Sequence, residues 1–107
     1  MQQRAKILDE AKTLITGPRA SDYGDAETNH ERIAKLWSVI LDKEITASQV
    51  VACMISVKLA RLVHTVKHRD SWVDIAGYSA LGGEFTSEAH DLQTTMQSPS
   101  HTGKRLG

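Results

Sequence analysis

The chain has 107 residues, which is enough for one domain with a single modest core. Its 13 basic and 13 acidic residues cancel, so no overall field attracts it to duplex nucleic acid or to an anionic membrane surface, and any anion site has to be local. No apolar run reaches the roughly 18 residues of a membrane span, and the opening MQQRAKILDE lacks the apolar block of a signal peptide, so we expect a cytoplasmic protein without membrane contact.

The first predicted element is an amphipathic helix over residues 2–16, for which Gly17-Pro18 supplies the stop. The apolar residues that recur at helical spacing are Ile7, Leu8, Ala11, Leu14 and Ile15. The segment GPRASDYGDAE that follows is rich in turn formers, and loops of this length are often functional. We expect Tyr23 in this polar loop to be exposed and able to stack on a base.

Two capping boxes predict the second and third helices. Thr28 with Glu31 opens the helix NHERIAKLWSVILD, and Thr46 with Gln49 opens the next helix. The expected inner face of the second helix consists of Ile33, Leu36, Trp37, Ile40 and Leu41.

The third helix is apolar on nearly every side over residues 50–63, which is typical of the central helix of a bundle. The single Cys53 lies within VVACMI and is therefore predicted to be a buried thiol. The other helices of one chain of this size cannot cover all sides of such a helix. We therefore expect a homo-oligomer with its site near a subunit boundary.

The fourth predicted helix runs through WVDIAGYSAL, is capped by Asp70 or Ser71, and ends at Gly82-Gly83. The segment EFTSEAHDLQTTMQ predicts a short fifth helix, and SPSHTGKRLG predicts a disordered tail. The sequence thus predicts an all-α fold, with a compact bundle of four main helices as one domain over residues 1–97 and a flexible tail over residues 98–107.

Two cations interrupt the apolar third helix. Lys58 and Arg61 lie three residues apart and share a face, and they are costly to bury without an anionic partner. Asp74 of the next helix is one candidate partner, in an internal ion pair; a ligand phosphate or carboxylate is the other, because the arginine fork suits it. The two partners are compatible, because Asp74 can orient the arginine toward a ligand. His68 and Arg69 extend the positive set.

The fourth helix carries acids and aromatic residues together. Asp70 and Asp74 fall on one face and can share Mg²⁺, but phosphate chemistry needs further oxygen ligands, and ACMISVKLARL on the facing helix contains no acid. A helix cap is the alternative role for Asp70. Trp72 and Tyr78 are candidates for stacking on a base or for packing in a core or subunit interface. Gly77 indicates close approach of another helix or of a ligand.

The segments DYGDAETNHERIAKLW, VKLARL and HRDSWVDIAGYSALGGE together resemble a family of small phage-encoded helical proteins of unassigned function, over roughly Ile7 to Glu84. DYG, KLARL and SWVDIAGY are also similar to phage nucleotide-modification-associated domains and, more distantly, to the all-α nucleoside triphosphate pyrophosphatases of the MazG type. The last resemblance implies Mg²⁺ held by an E-x-x-E pair and an E-x-x-D pair. Only Asp70 and Asp74 match the second pair, at a spacing of four, so the resemblance implies a nucleotide ligand more than hydrolysis.

Three functional hypotheses follow. In the first, a phage protein in the cytoplasm of the infected host binds a phosphorylated nucleotide-type ligand, such as a host-defence signal, and retains it without turnover or a required cofactor. In the second, a Mg²⁺-dependent nucleoside triphosphate pyrophosphohydrolase uses Asp70 and Asp74 as metal ligands, supplemented by Glu27, Glu31 or acids of a second subunit. In the third, the chain is an interaction module that acts on a host protein. The candidate ligand-binding residues are Lys58, Arg61, Asp74, Tyr23, Trp72, Arg69 and His68.

Overall fold

The structure, a computed structural model, describes residues 2–18 and 25–87. Within these ranges it has four helices and no strand: α1 (Gln3–Thr16), α2 (Ala26–Leu41), α3 (Ala47–His64) and α4 (Arg69–Phe85). The prediction of an all-α fold with four main helices is confirmed. Tyr23, residues 88–97 of the predicted fifth helix and the predicted tail lie outside the described residues, and Glu84 and Phe85, where that helix was predicted to begin, belong to α4.

Helix α1 packs along α4 at Gly77. A β-carbon added to this buried glycine would lie 3.3 Å from Ile15 Cγ2 and 4.0 Å from the Ala11 carbonyl oxygen, so the two helices approach closely and a larger residue would require Ile15 to shift by a few tenths of an ångström. The prediction that Gly77 marks close helix packing is confirmed. The predicted apolar face of α1 holds except at Leu8, which is exposed.

Helix α2 begins one turn earlier than its predicted capping box. The N-cap is Asp25, whose Oδ2 accepts hydrogen bonds from the Thr28 amide at 3.0 Å and the Thr28 hydroxyl at 3.1 Å. The box of Thr28 with Glu31 was therefore wrong, because the upstream carboxylate already satisfies the orphan amide.

The inner face of α2 also differs from the predicted one. His30 and Ala34 are its buried residues, whereas three members of the predicted face, Leu36, Ile40 and Leu41, are exposed. Among the described helices α2 packs mainly on α3, with a smaller contact to α4. The predicted apolar face of α2 is wider than the area that α3 and α4 cover, so its outer part stays in contact with solvent.

Helix α3 opens with the predicted capping box, in which Thr46 and Gln49 each bond the other's backbone. Its covered side packs on α4 and contributes Val51 to a core with Leu81 and Phe85. The opposite side is exposed in this chain, and Cys53 lies exposed with it. The prediction of a buried thiol was wrong, because an apolar sequence neighbourhood does not show whether another helix covers it.

The exposed side of α3 also changes one expectation about membranes. All 18 residues of α3 together are long and apolar enough to cross a bilayer by length and composition, with a mean hydropathy of 1.2 and 17% of them buried. The prediction that no segment of this chain is long and apolar enough to span a membrane was therefore wrong. One such helix, judged by length and composition alone, is weak evidence for a membrane protein.

Helix α4 begins and ends differently from the prediction. Its N-cap is His68, whose Nδ1 accepts from the Ser71 amide at 3.3 Å and lies 2.7 Å from the Ser71 hydroxyl, so neither Asp70 nor Ser71 is the cap. The helix also continues through Gly82-Gly83. A β-carbon on Gly82 would be 3.3 Å from Val51 Cγ1, and Phe85 is buried in the core, so packing on α3 carries the helix past both glycines.

Candidate functional site

An open cavity of about 910 Å³ lies between α1, α3, α4 and the first turns of α2. This volume lies within the range of roughly 300–1,000 Å³ that small-molecule sites occupy. Its apolar floor includes Ile15, Val73 and Leu81. The charged residues that line it are Asp9, Glu10, Lys58, Arg61, Asp70 and Asp74.

Both cations of α3 reach this cavity, but they are held differently. Lys58 Nζ lies 3.2 Å from Asp74 Oδ2, and the two side chains are 22% and 29% exposed. Arg61 is exposed and forms no ion pair with any residue in the described ranges. The internal ion pair expected for this helix therefore forms through Lys58. The expectation that Asp74 orients the arginine was wrong, and the guanidinium fork remains open to a ligand.

The cavity contains a second pair of acids that sequence reasoning missed. Asp9 and Glu10 of α1 line the same cavity as Asp70 and Asp74 of α4. Sequence reasoning would place such acids on α3, the helix next to α4 in the chain, whereas α1 packs against α4 as well and brings its own acids to the cavity. The available signal was two adjacent acids beside the apolar face of α1.

These acids do not by themselves form a metal centre. In the part of the chain that the structure describes, no three His, Cys, Asp or Glu side chains come close enough to hold an ion. The lining nevertheless sets four carboxylates against two permanent cations. A metal ion here would need several of its ligands from substrate and water, which is how Mg²⁺ is usually held.

Two predicted ligand-binding residues are directed elsewhere. The Arg69 guanidinium contacts Glu10 Oε2 from Nη2 at 2.6 Å and from Nε at 3.1 Å, and donates to Gln3 Oε1 at 3.3 Å, so it ties the start of α4 to α1. Trp72 donates from Nε1 to the Val66 carbonyl at 2.9 Å. Neither residue lines the cavity. Their side chains are engaged in local structure rather than aimed at a shared ligand.

The aromatic surface of the cavity comes from Tyr78 and His30 instead. The His30 ring is buried, meets Tyr78 edge-on at 6.2 Å and lies 5.9 Å from Phe85. Its Nδ1 is 2.7 Å from the Ala26 carbonyl oxygen, and since a carbonyl only accepts, Nδ1 carries the proton. His68 also lines the cavity, but its Nδ1 serves the α4 cap. The sequence signal that could have identified His30 was a polar residue four positions before Ala34, on the buried side of α2.

Comparison with known proteins places this cavity inside a matched region. Residues 6–86 match the family described as "Domain of unknown function (DUF6378)". The chain is similar to "Gene 55 protein" of Mycobacterium phage L5, with 47% identity over 76 residues that cover 70% of this chain and 49% of the relative. It is also similar to "Gene 55 protein" of Mycobacterium phage D29, with 47% identity over 73 residues that cover 68% and 48%.

The chain thus spans about half the length of the curated relatives that it matches. No solved structure matches it. The predicted resemblance to phage-encoded proteins of unassigned function is confirmed by these matches, and every residue that lines the cavity falls within the matched range.

Proposed function

We propose, for a chain that belongs to the DUF6378 family, that it binds a phosphorylated nucleotide-type ligand in this cavity and retains it without turnover. The observation that supports the proposal is the placement of Arg61, a cation on the cavity wall that forms no ion pair with any described residue. Arginine binds phosphate through two parallel N–H donors, and such charge-assisted bonds are about twice as strong as neutral ones. Lys58 adds a second positive charge one helical turn away.

The rest of the lining suits a nucleoside. Tyr78 and His30 offer aromatic surface for a base, and Asn29 offers an amide donor and acceptor. The apolar floor at Ile15, Val73 and Leu81 would exclude water from the buried side of the ligand. Binding of this kind needs no metal.

The four carboxylates restrict the charge of the proposed ligand. A nucleotide with one negative charge on each phosphate matches the two cations, while a bare triphosphate would be repelled by Asp9, Asp70 and their neighbours. A terminal monophosphate carries close to two negative charges at neutral pH, whereas a phosphodiester carries one. The proposal therefore favours phosphodiesters such as cyclic dinucleotides. A phage would gain by sequestering such a molecule in the cytoplasm of the infected cell if it were a host-defence signal.

The acids of α1 favour a second candidate, a Mg²⁺-dependent nucleoside triphosphate pyrophosphohydrolase. Mg²⁺ would supply charge neutralisation for the phosphates and orientation of the attacking water. Asp9 of α1 and Asp70 of α4, which form no ion pair within the described ranges, would hold it, while Lys58 and Arg61 would contact the phosphates. This candidate follows the more distant resemblance to the MazG type.

One incubation separates these candidates. The purified chain is mixed with a pool of nucleoside mono-, di- and triphosphates and cyclic dinucleotides, with and without Mg²⁺, and the bound and free fractions are analysed. Unchanged nucleotide released on denaturation supports retention. Monophosphate and pyrophosphate that appear only with Mg²⁺ support the enzyme, and Asp70→Asn should then abolish turnover. If neither outcome is observed, the remaining hypothesis is a module that acts on a host protein.

A matched pair of arginine variants locates the site. Arg61→Ala should weaken retention by about 10- to 100-fold, because it removes a charge-assisted contact. Arg32→Ala, which removes an exposed arginine of α2 that does not line the cavity, should leave retention unchanged. Equal retention by both variants and the unaltered chain would place the ligand elsewhere.

A further inference from the structure

The exposed side of α3 carries an uncharged apolar surface. Four of its residues recur at intervals of four, three and four positions, which is the heptad spacing of helix-packing seams. The surface continues past the helix to Val66, whose carbonyl accepts the Trp72 indole bond and so brings that ring beside it. We call the α3 outer face the set Ala52, Cys53, Ser56, Val57, Leu59, Ala60, Val63, Val66 and Trp72, in which Ala52, Ser56, Leu59 and Val63 form the heptad series.

These residues leave considerable apolar area uncovered. Val63 is 90% exposed, and the exposed fractions of the other large members are 54% for Val57, 49% for Leu59, 64% for Val66 and 46% for Trp72. With about 100 Å² for a fully exposed Val or Leu side chain and about 200 Å² for Trp, they present on the order of 350 Å² before the smaller residues are added. A standard interface takes roughly 800 Å² from each partner, of which about 450 Å² is apolar.

We infer that the α3 outer face packs against the α3 outer face of a second copy of this chain. A two-fold interface brings each surface against itself, so a charged face would repel its own copy, whereas this one contains no charge. Ala52, Ser56 and Ala60 are small enough to let two helix backbones approach. The only hydroxyl of the face is already satisfied, since Ser56 Oγ donates to the Cys53 carbonyl at 2.7 Å.

A bilayer fits the same face less well. Stable attachment of an amphipathic surface to a membrane usually needs a second contribution from basic residues or a lipid anchor. The net charge of this chain is zero. Lys58 and Arg61 line the cavity, and the basic residues beside the outer face, Arg61 next to Val57 and Lys67 after Val66, are too few for a polybasic patch.

The test is the mass of the full chain in solution by light scattering and sedimentation equilibrium, over about 1–200 µM. The unaltered chain should be a dimer at the upper end of this range. Val63→Lys should be monomeric with the helicity and melting behaviour of a folded chain, because its side chain is almost fully exposed within one chain. Leu8→Lys makes the same charge change at an exposed position of α1 and should remain dimeric.

Three results would overturn the inference. They are a monomeric unaltered chain at every concentration, a Val63→Lys variant that remains dimeric, and flotation of the unaltered chain with phosphatidylcholine–phosphatidylglycerol vesicles that Val63→Lys abolishes. The last result would assign the face to a lipid surface. If the nucleotide test fails while the dimer forms as described, only the cavity proposal is lost, because the two rest on different sides of α3.

Discussion

Lys58 and Arg61 share a wall of the cavity but should affect stability very differently. Lys58→Ala leaves the Asp74 carboxylate, 29% exposed, without its partner at 3.2 Å. Fully exposed ion pairs contribute about 0.2–1 kcal/mol, and breaking a buried pair costs about 3–5 kcal/mol, so this partly buried pair should cost about 1.5 kcal/mol. Arg61→Ala removes an exposed side chain with no described ion-pair partner and should change the free energy of unfolding by less than about 0.5 kcal/mol.

The difference is large enough for a thermal melt followed by circular dichroism. For a domain of this size 1 kcal/mol corresponds to about 4–8 °C in Tm, so Lys58→Ala should melt roughly 6–12 °C lower and Arg61→Ala no more than about 4 °C lower. Asp74→Ala should cost about as much as Lys58→Ala, and the double variant should cost clearly less than the two together. If Arg61→Ala melts as low as Lys58→Ala, Arg61 has a structural partner and is not free for a ligand.

Two further changes test the fold and the interface. Asp25→Ala removes both hydrogen bonds to Thr28 at the start of α2 and should lower the free energy of unfolding by about 1 kcal/mol, measured by urea titration; an unchanged value would mean that another group caps α2. Cys53 should react with a maleimide faster in Val63→Lys than in the unaltered chain at 200 µM, because the second copy shields it. Equal rates would contradict burial of Cys53 between copies.

The helices were largely predictable because their signals are local. Gly17-Pro18 ends α1, and the reciprocal bonds of Thr46 with Gln49 join groups three residues apart, so sequence spacing determines them. Gly77 was also informative, since a glycine inside a helix has a cost that close packing offsets.

Burial and the composition of the cavity were less predictable, because they depend on which helices become neighbours. An apolar segment surrounds Cys53 in the sequence, yet no described helix covers it. Asp9 and Glu10 face α4 only because α1 packs there at Gly77, more than sixty positions along the chain. At the start of α4 the sequence offers Asp70 and Ser71 as ordinary capping residues, but the N-cap is His68, whose imidazole bonds to buried Ser71.

The two sides of α3 have a consequence for stoichiometry. Successive helical residues advance by about 100°, so Arg61 and Val63 point roughly 160° apart around the helix axis. If copies meet through Val63, the two cavities open away from each other, and the described lining of each comes from one chain. Titration should then give one ligand per protomer with identical, independent affinities and a Hill coefficient of about 1.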